Sequence, residues 1–123
     1  MTQPKRIFIV EDEILIAFEM VDILEDLGFH IVGPSVHVDE AEELARDEKI
    51  DAAFLDVNMG EGKNSEPVAK ILRSRGVPFI FVTAYNDDQI TFRTSDDRVL
   101  RKPVTGKEMI AALDRVVGDL RMD

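Results

Sequence analysis

Cysteine and tryptophan are absent from the chain, and tyrosine occurs once. Without cysteine, neither a disulfide framework nor a thiolate metal site can form. The longest apolar run is about five residues, far short of the roughly 20 that span a bilayer as a helix. The opening MTQPKRIFIV has two basic residues but no long apolar stretch and no small-residue cleavage site. No signal peptide is evident, and the expected location is cytoplasmic. Positive charge is also scarce, with 15 Lys and Arg against 25 Asp and Glu, a net charge of −10. That balance argues against a nucleic-acid partner and favours cations and basic protein surfaces.

What remains is an ordinary globular composition, 45% hydrophobic and 33% charged over 123 residues. It suits one domain with one core. There is no repeat, low-complexity tract or long linker. Short apolar runs at Ile7–Val10, Ile31–Val32, Ala52–Leu55, Phe79–Val82 and Val99–Leu100 read as strands. Segments of helical period alternate with them. The first helix is expected to bury Ile14, Ala17, Phe18, Val21 and Leu24, to expose Glu19, Asp22 and Asp26, and to stop at Gly28. Helices are expected at about 38–48 and 65–75, the latter with Pro67 in its first turn and Gly76 after its end. The segment NDDQITFRTSDD holds few large apolar residues, so a fourth helix there should be short or frayed. The last helix, 105–121, opens on Thr105-Gly-Lys-Glu108, the form of a capping box. Its apolar stripe is Met109, Leu113, Val116, Val117 and Leu120.

Alternating strands and helices with continuous apolar strands predict an α/β fold with a doubly wound, five-stranded parallel sheet. The common strand order for five is 2-1-3-4-5 (flavodoxin-like), and ligands bind beyond the carboxyl ends of such strands. There the chain places Glu11-Asp12, Asp56, Thr83-Ala84 and Lys102-Pro103. Adjacent first and third strands bring three carboxylates together, a costly arrangement unless a cation or a proton relieves it. Oxygen donors favour a hard ion such as Mg2+. A hydroxyl and an ammonium at the same edge would suit a phosphoryl group. Each piece also has a plainer reading. Glu11 and Asp12 could cap a helix, Asp56 could begin a loop, and Lys102-Pro103 could be an exposed turn.

The four pieces together, in this order, resemble the receiver domain of bacterial two-component response regulators over essentially the whole chain. The resemblance implies that Asp56 takes a phosphoryl group from a histidine kinase. It also implies that Asp12, Glu11 (largely through water), Asp56 and the backbone carbonyl of Asn58 surround Mg2+. Lys102 would pair with the phosphoryl oxygens, Thr83 would swing to hydrogen-bond them, and the bond before Pro103 would be cis, as it often is in the family. The protein would be a switch and not an enzyme, acting on a downstream protein or phosphotransfer protein. The last helix consumes the chain, so residues 1–123 are expected to form one receiver domain without an output domain, monomeric when unphosphorylated. Phe92, Arg93 and Arg101 are the expected contact surface.

Two departures stand out. Receivers often have Pro four residues after the acceptor, where this chain has Gly60, and an aromatic switch residue where it has Val99. PFIFVTAY, residues 78–85, is similar to the Pro-Phe-X-Phe-Ala-Thr-Gly-Tyr signature of one single-domain subfamily, with Val82 and Ala84 departing. Tyr85 is therefore the expected replacement for the missing aromatic. Three rivals fit less well. A nucleotide-binding module would need a Ser-, Thr- or Gly-rich loop where Glu11-Asp12-Glu13 stands. A small phosphatase would need a further general acid and a capping segment. A degenerate receiver would lack one of the acceptor, the metal carboxylates or the lysine.

Overall fold

The computed structural model describes residues 4–84, 90–92 and 97–117. Five parallel strands run β1 Arg6–Val10, β2 His30–Ser35, β3 Ala52–Asp56, β4 Phe79–Thr83 and β5 Arg98–Arg101. Their order is β2-β1-β3-β4-β5, as the alternation of strands and helices predicts. Among the described residues, four helices connect and cover them: α1 Ile14–Asp26, α2 Val38–Asp47, α3 Glu66–Ser74 and α4 Gly106–Val117. The expected fourth helix falls largely on residues outside those described, as do Tyr85, Arg93 and Leu120.

The strands are fixed by burial. Every residue of β3 and β4 is buried, so their β-branched and aromatic side chains fill both faces of the sheet. Strand β5 lies at the edge, and its exposed ends are Arg98 and Arg101, which discourage pairing with another chain. Two-residue alternation sends Phe8, Leu55 and Phe81 to one layer with α2 and α3. It sends Ile9, Phe54, Ile80 and Val82 to the other layer, against α1 and α4.

The helix boundaries follow local chemistry. At α4, Glu108 N–H donates to Thr105 Oγ1 at 3.1 Å, while Thr105 N–H donates to Glu108 Oε1 at 3.0 Å. This reciprocal capping box meets the expectation. Helix α1 stops at Gly28, whose φ of +94° suits a residue without a Cβ. Its buried face differs from the expected one: Ala17, Met20 and Leu24 face the sheet, while Ile14 and Phe18 are each 56% exposed. The sequence ILIAF is apolar nearly all round the helix, so spacing could not select which stripe meets the sheet. Tertiary packing did.

One irregularity bears directly on the acidic site. Between β1 and β2 the register shifts, so Val10 pairs with Ser35. Gly33 makes the bend at φ +91°, where a Cβ would lie 2.9 Å from the Ser35 nitrogen and 3.1 Å from the Ile9 carbonyl. The bend lets Glu11 N–H donate to the Ser35 carbonyl at 3.0 Å, anchoring the first residue beyond β1.

Candidate functional site

Strand register explains how distant residues meet. Val10 pairs with Leu55, so the next row places Glu11 beside Asp56. Asp56 pairs with Val82, and Val82 pairs with Leu100. Glu11 continues the side of Ile7 and Ile9, Asp56 that of Phe54, and Lys102 that of Leu100. Alternation therefore aims all three toward the same layer at the carboxyl end of the sheet. Thr83 is the last residue of β4 and is buried. Its carbonyl accepts Lys102 N–H at 2.9 Å, which ties the end of β4 to the start of the lysine loop. The Lys102–Pro103 peptide is cis, as is Gly33–Pro34.

The run AAFLD carries a carboxylate at the end of its strand. Asp56 is the last residue of a fully buried strand and is 5% exposed. Oxygens of Glu11, Asp12 and Asp56 lie within 4.8 Å of one another. Lys102 Nζ sits 2.8 Å from Glu11 Oε1, 3.3 Å from Glu13 Oε1 and 3.3 Å from Asp56 Oδ2. Asp12 has no ammonium or guanidinium partner among the described residues. Burial first, then the carboxyls of Glu11 and Asp12, push Asp56 up from its ordinary 3.8 to about 9, against the opposing pull of Lys102. For Lys102, burial acts downward, but Glu11 and Asp56 outweigh it and hold the ammonium up to about 12.

One lysine thus does not neutralise the site, and the remaining demand is for a cation or a proton. The donor set fits Mg2+: hard carboxylate oxygens with no sulfur or imidazole among them. Residues 58–64 add to that fit. Met59 N–H donates to the Lys63 carbonyl and Ser65 N–H to the Val57 carbonyl, each at 3.0 Å, so Asn58 and Asn64 face each other in a small antiparallel hairpin. Asn58 occupies a non-hydrogen-bonded position of that pair, which turns its own carbonyl away from the partner strand. Its side-chain Oδ1 accepts Gly60 N–H at 3.1 Å. Gly60, at φ +79°, brings the hairpin turn close to Asp12, whose Oδ2 would lie 3.4 Å from a Cβ added there. A cleft of about 450 Å3 lined by Asp12, Ile14, His37, Met59, Gly60 and Lys63 opens beside these carboxylates.

The profile of the "Response regulator receiver domain" matches residues 7–114. The chain is a response regulator receiver domain. The solution structure of SdrG from Sphingomonas melonis Fr1 is 42% identical, with a TM-score of 0.82 over 94% of this chain and 98% of that one. A second solution structure, the BeF3-activated conformation of SdrG from Pseudomonas melonis Fr1, is also 42% identical, with a TM-score of 0.78 over 95% and 99% of the two chains. The transcriptional regulatory protein PdtaR of Mycobacterium tuberculosis is 30% identical over 121 residues, 96% of this chain. The receiver chain spans 59% of that relative's length. Membership makes this a signalling module of two-component systems and not a classical enzyme. Among the described residues, no helix is long and apolar enough to cross a membrane.

Two features of the receiver site were not foreseen. Glu13 reads in the sequence as one more acid in a run, yet its carboxylate reaches Lys102 from the N-cap position of α1. The hairpin at 58–64 is the second, although its two positive-φ glycines, Gly60 and Gly62, are the signal of tight turns. Val99 is partly buried and packs with the layer that holds Phe81. Phe92 stands edge-on to Phe81, with ring centroids 5.4 Å apart. Arg73 of α3 reaches the same region, bonding Asp97 and the Phe92 carbonyl and lying over the Phe79 ring.

Proposed function

We propose that Asp56 accepts a phosphoryl group from a histidine kinase and that the phosphorylated domain signals through protein contact. The observation that carries this reading is the convergence of Glu11, Asp12, Asp56 and Lys102 beyond the sheet. The Asp56 oxygen attacks phosphorus as the phosphorus–nitrogen bond of a phosphohistidine breaks, and the departing imidazole nitrogen keeps the bonding pair. The product is an acyl phosphate on Asp56. Fixing the carboxylate at the end of a buried strand holds it in line for attack, so positioning replaces much of the entropic cost. Lys102 shifts from Asp56 to the new phosphoryl oxygens, and its charge opposes theirs. Thr83 Oγ1 turns to donate to them, drawing the end of β4 toward the site.

Asp12, Asp56 and the Asn58 carbonyl would hold Mg2+ directly, and Glu11 through water, since both of its oxygens already have partners in Lys102 and the Glu13 N–H. Bound there, the ion would neutralise charge on the phosphoryl oxygens. Residues 1–123 are read as one cytoplasmic receiver domain, supported by the match to SdrG over 98% of that chain. Its recipient would be a downstream protein or a phosphotransfer protein, met on the surface around Phe92 and Arg101. Tyr85 remains a proposed part of that surface.

Beryllofluoride, a stable phosphoryl mimic, tests the reading. With Mg2+ present, amide resonances of Asp56, Thr83 and Lys102 should shift together in the wild type and stay fixed in Asp56→Asn. The BeF3-activated form of SdrG supports this expectation. An unchanged wild-type spectrum at millimolar beryllofluoride would remove the proposal.

A further inference from the structure

Lys102 is shared more widely than the phosphoryl chemistry requires. Its ammonium has three N–H donors, and three carboxylates stand around it: Glu11 at 2.8 Å, with Glu13 and Asp56 each at 3.3 Å. Glu11 and Asp56 are buried, whereas the Glu13 side chain is 61% exposed. Glu13 is the N-cap residue of α1, yet its side chain makes no capping bond. Its backbone N–H instead donates to Glu11 Oε2 at 3.1 Å, which pins the residue while its carboxylate lies on the solvent side of Lys102.

A phosphoryl group on Asp56 needs hydrogen bonds from that same ammonium. Hydrogen bonds to Glu13 and Asp56 and the close Glu11 contact at 2.8 Å already crowd the ammonium, so one present acceptor must give way. Glu13 is the weakest held of the three, because its contact is no shorter than that of Asp56 and it alone is exposed to water. Its charge also opposes the arriving phosphoryl oxygens. We infer that Glu13 is a positioning residue that competes with the phosphoryl group for Lys102 and so sets the population of the phosphorylated state. This inference rests on the receiver chemistry proposed for Asp56. It gives the exposed start of α1 a direct hold on the signal, since any partner that draws Glu13 away would release the lysine.

The test compares beryllofluoride affinity in saturating Mg2+ for wild type, Glu13→Gln and Glu25→Gln, with melting temperatures measured on the same samples. Glu25 is exposed at the far end of α1 and carries the same formal charge. Glu13→Gln should bind about two- to fivefold more tightly, the scale of one exposed ion pair. Glu25→Gln should match the wild type. Equal tightening in both variants would show a net-charge effect and overturn the inference. Unchanged or weaker binding by Glu13→Gln would also overturn it, whatever its melting temperature. A wild type that fails to bind beryllofluoride at all would instead defeat the underlying reading of Asp56, and this inference with it.

Discussion

Replacing Asp56 with asparagine is expected to stabilise the metal-free protein while abolishing its phosphorylation. The cause is the crowding of three carboxylates at one sheet edge. In the folded protein Asp56 holds its proton up to about 9, against an ordinary 3.8. A carboxyl whose folded pKa is raised favours folding at low pH, and that contribution is lost as pH rises through the folded value. The metal-free wild type should therefore lose stability progressively from about pH 4 to about pH 9. Asparagine keeps the shape without the charge. At pH 8 in chelator, Asp56→Asn should be more stable by about 2 kcal/mol, after allowance for relaxation of the neighbouring acids. Thermal melts across pH read this directly. The gain should vanish below about pH 4, where both side chains are neutral, and should shrink in Mg2+, which binds the folded wild type. A destabilised variant, or a gain independent of pH, would show that the acids are not in conflict.

The second large effect belongs to Asp12. Lys102 lies against Glu11, Glu13 and Asp56 and leaves Asp12 as the acid whose charge is not offset by a basic side chain among the described residues. In the proposed site Asp12 is accordingly the principal protein ligand for the ion. Asp12→Asn should raise the Mg2+ concentration giving half-maximal labelling by acetyl phosphate at least about tenfold, since disturbing even the supports of metal ligands costs that much. Labelling at very high Mg2+ should partly recover. A Mg2+ dependence identical to wild type would move the ion away from Asp12.

These expectations rest on features that differ in how far the sequence shows them. The strands could be read because FIFV and AAFL are runs that only a doubly covered sheet accommodates. The strand-end acids and Lys102 followed once the order of strands was fixed, because register is a matter of counting. The capping box at Thr105 and the stop at Gly28 are local chemistry and need no tertiary information. The buried face of α1 is different: with Ile14, Leu15, Ile16, Ala17 and Phe18 in succession, several stripes are apolar, and only contact with the sheet selects Ala17, Met20 and Leu24. Glu13 was hidden for a similar reason. Its partner Lys102 is remote in sequence, and nothing in Glu11-Asp12-Glu13 says which acids face the metal and which the lysine. The bend at Gly33 was equally silent, since a lone glycine does not announce that its neighbour Ser35 will hold the backbone of Glu11.

If Asp56 carries the phosphoryl group and a metal assists its arrival, labelling must depend on both. Intact-mass spectrometry after incubation with acetyl phosphate tests it most directly, on wild type and Asp56→Asn, each with Mg2+ and with chelator. A single phosphoryl adduct, labile to hydrolysis, is expected on the wild type in Mg2+ alone, with none on Asp56→Asn. An adduct of equal yield on Asp56→Asn, or one on the wild type indifferent to Mg2+, would contradict it.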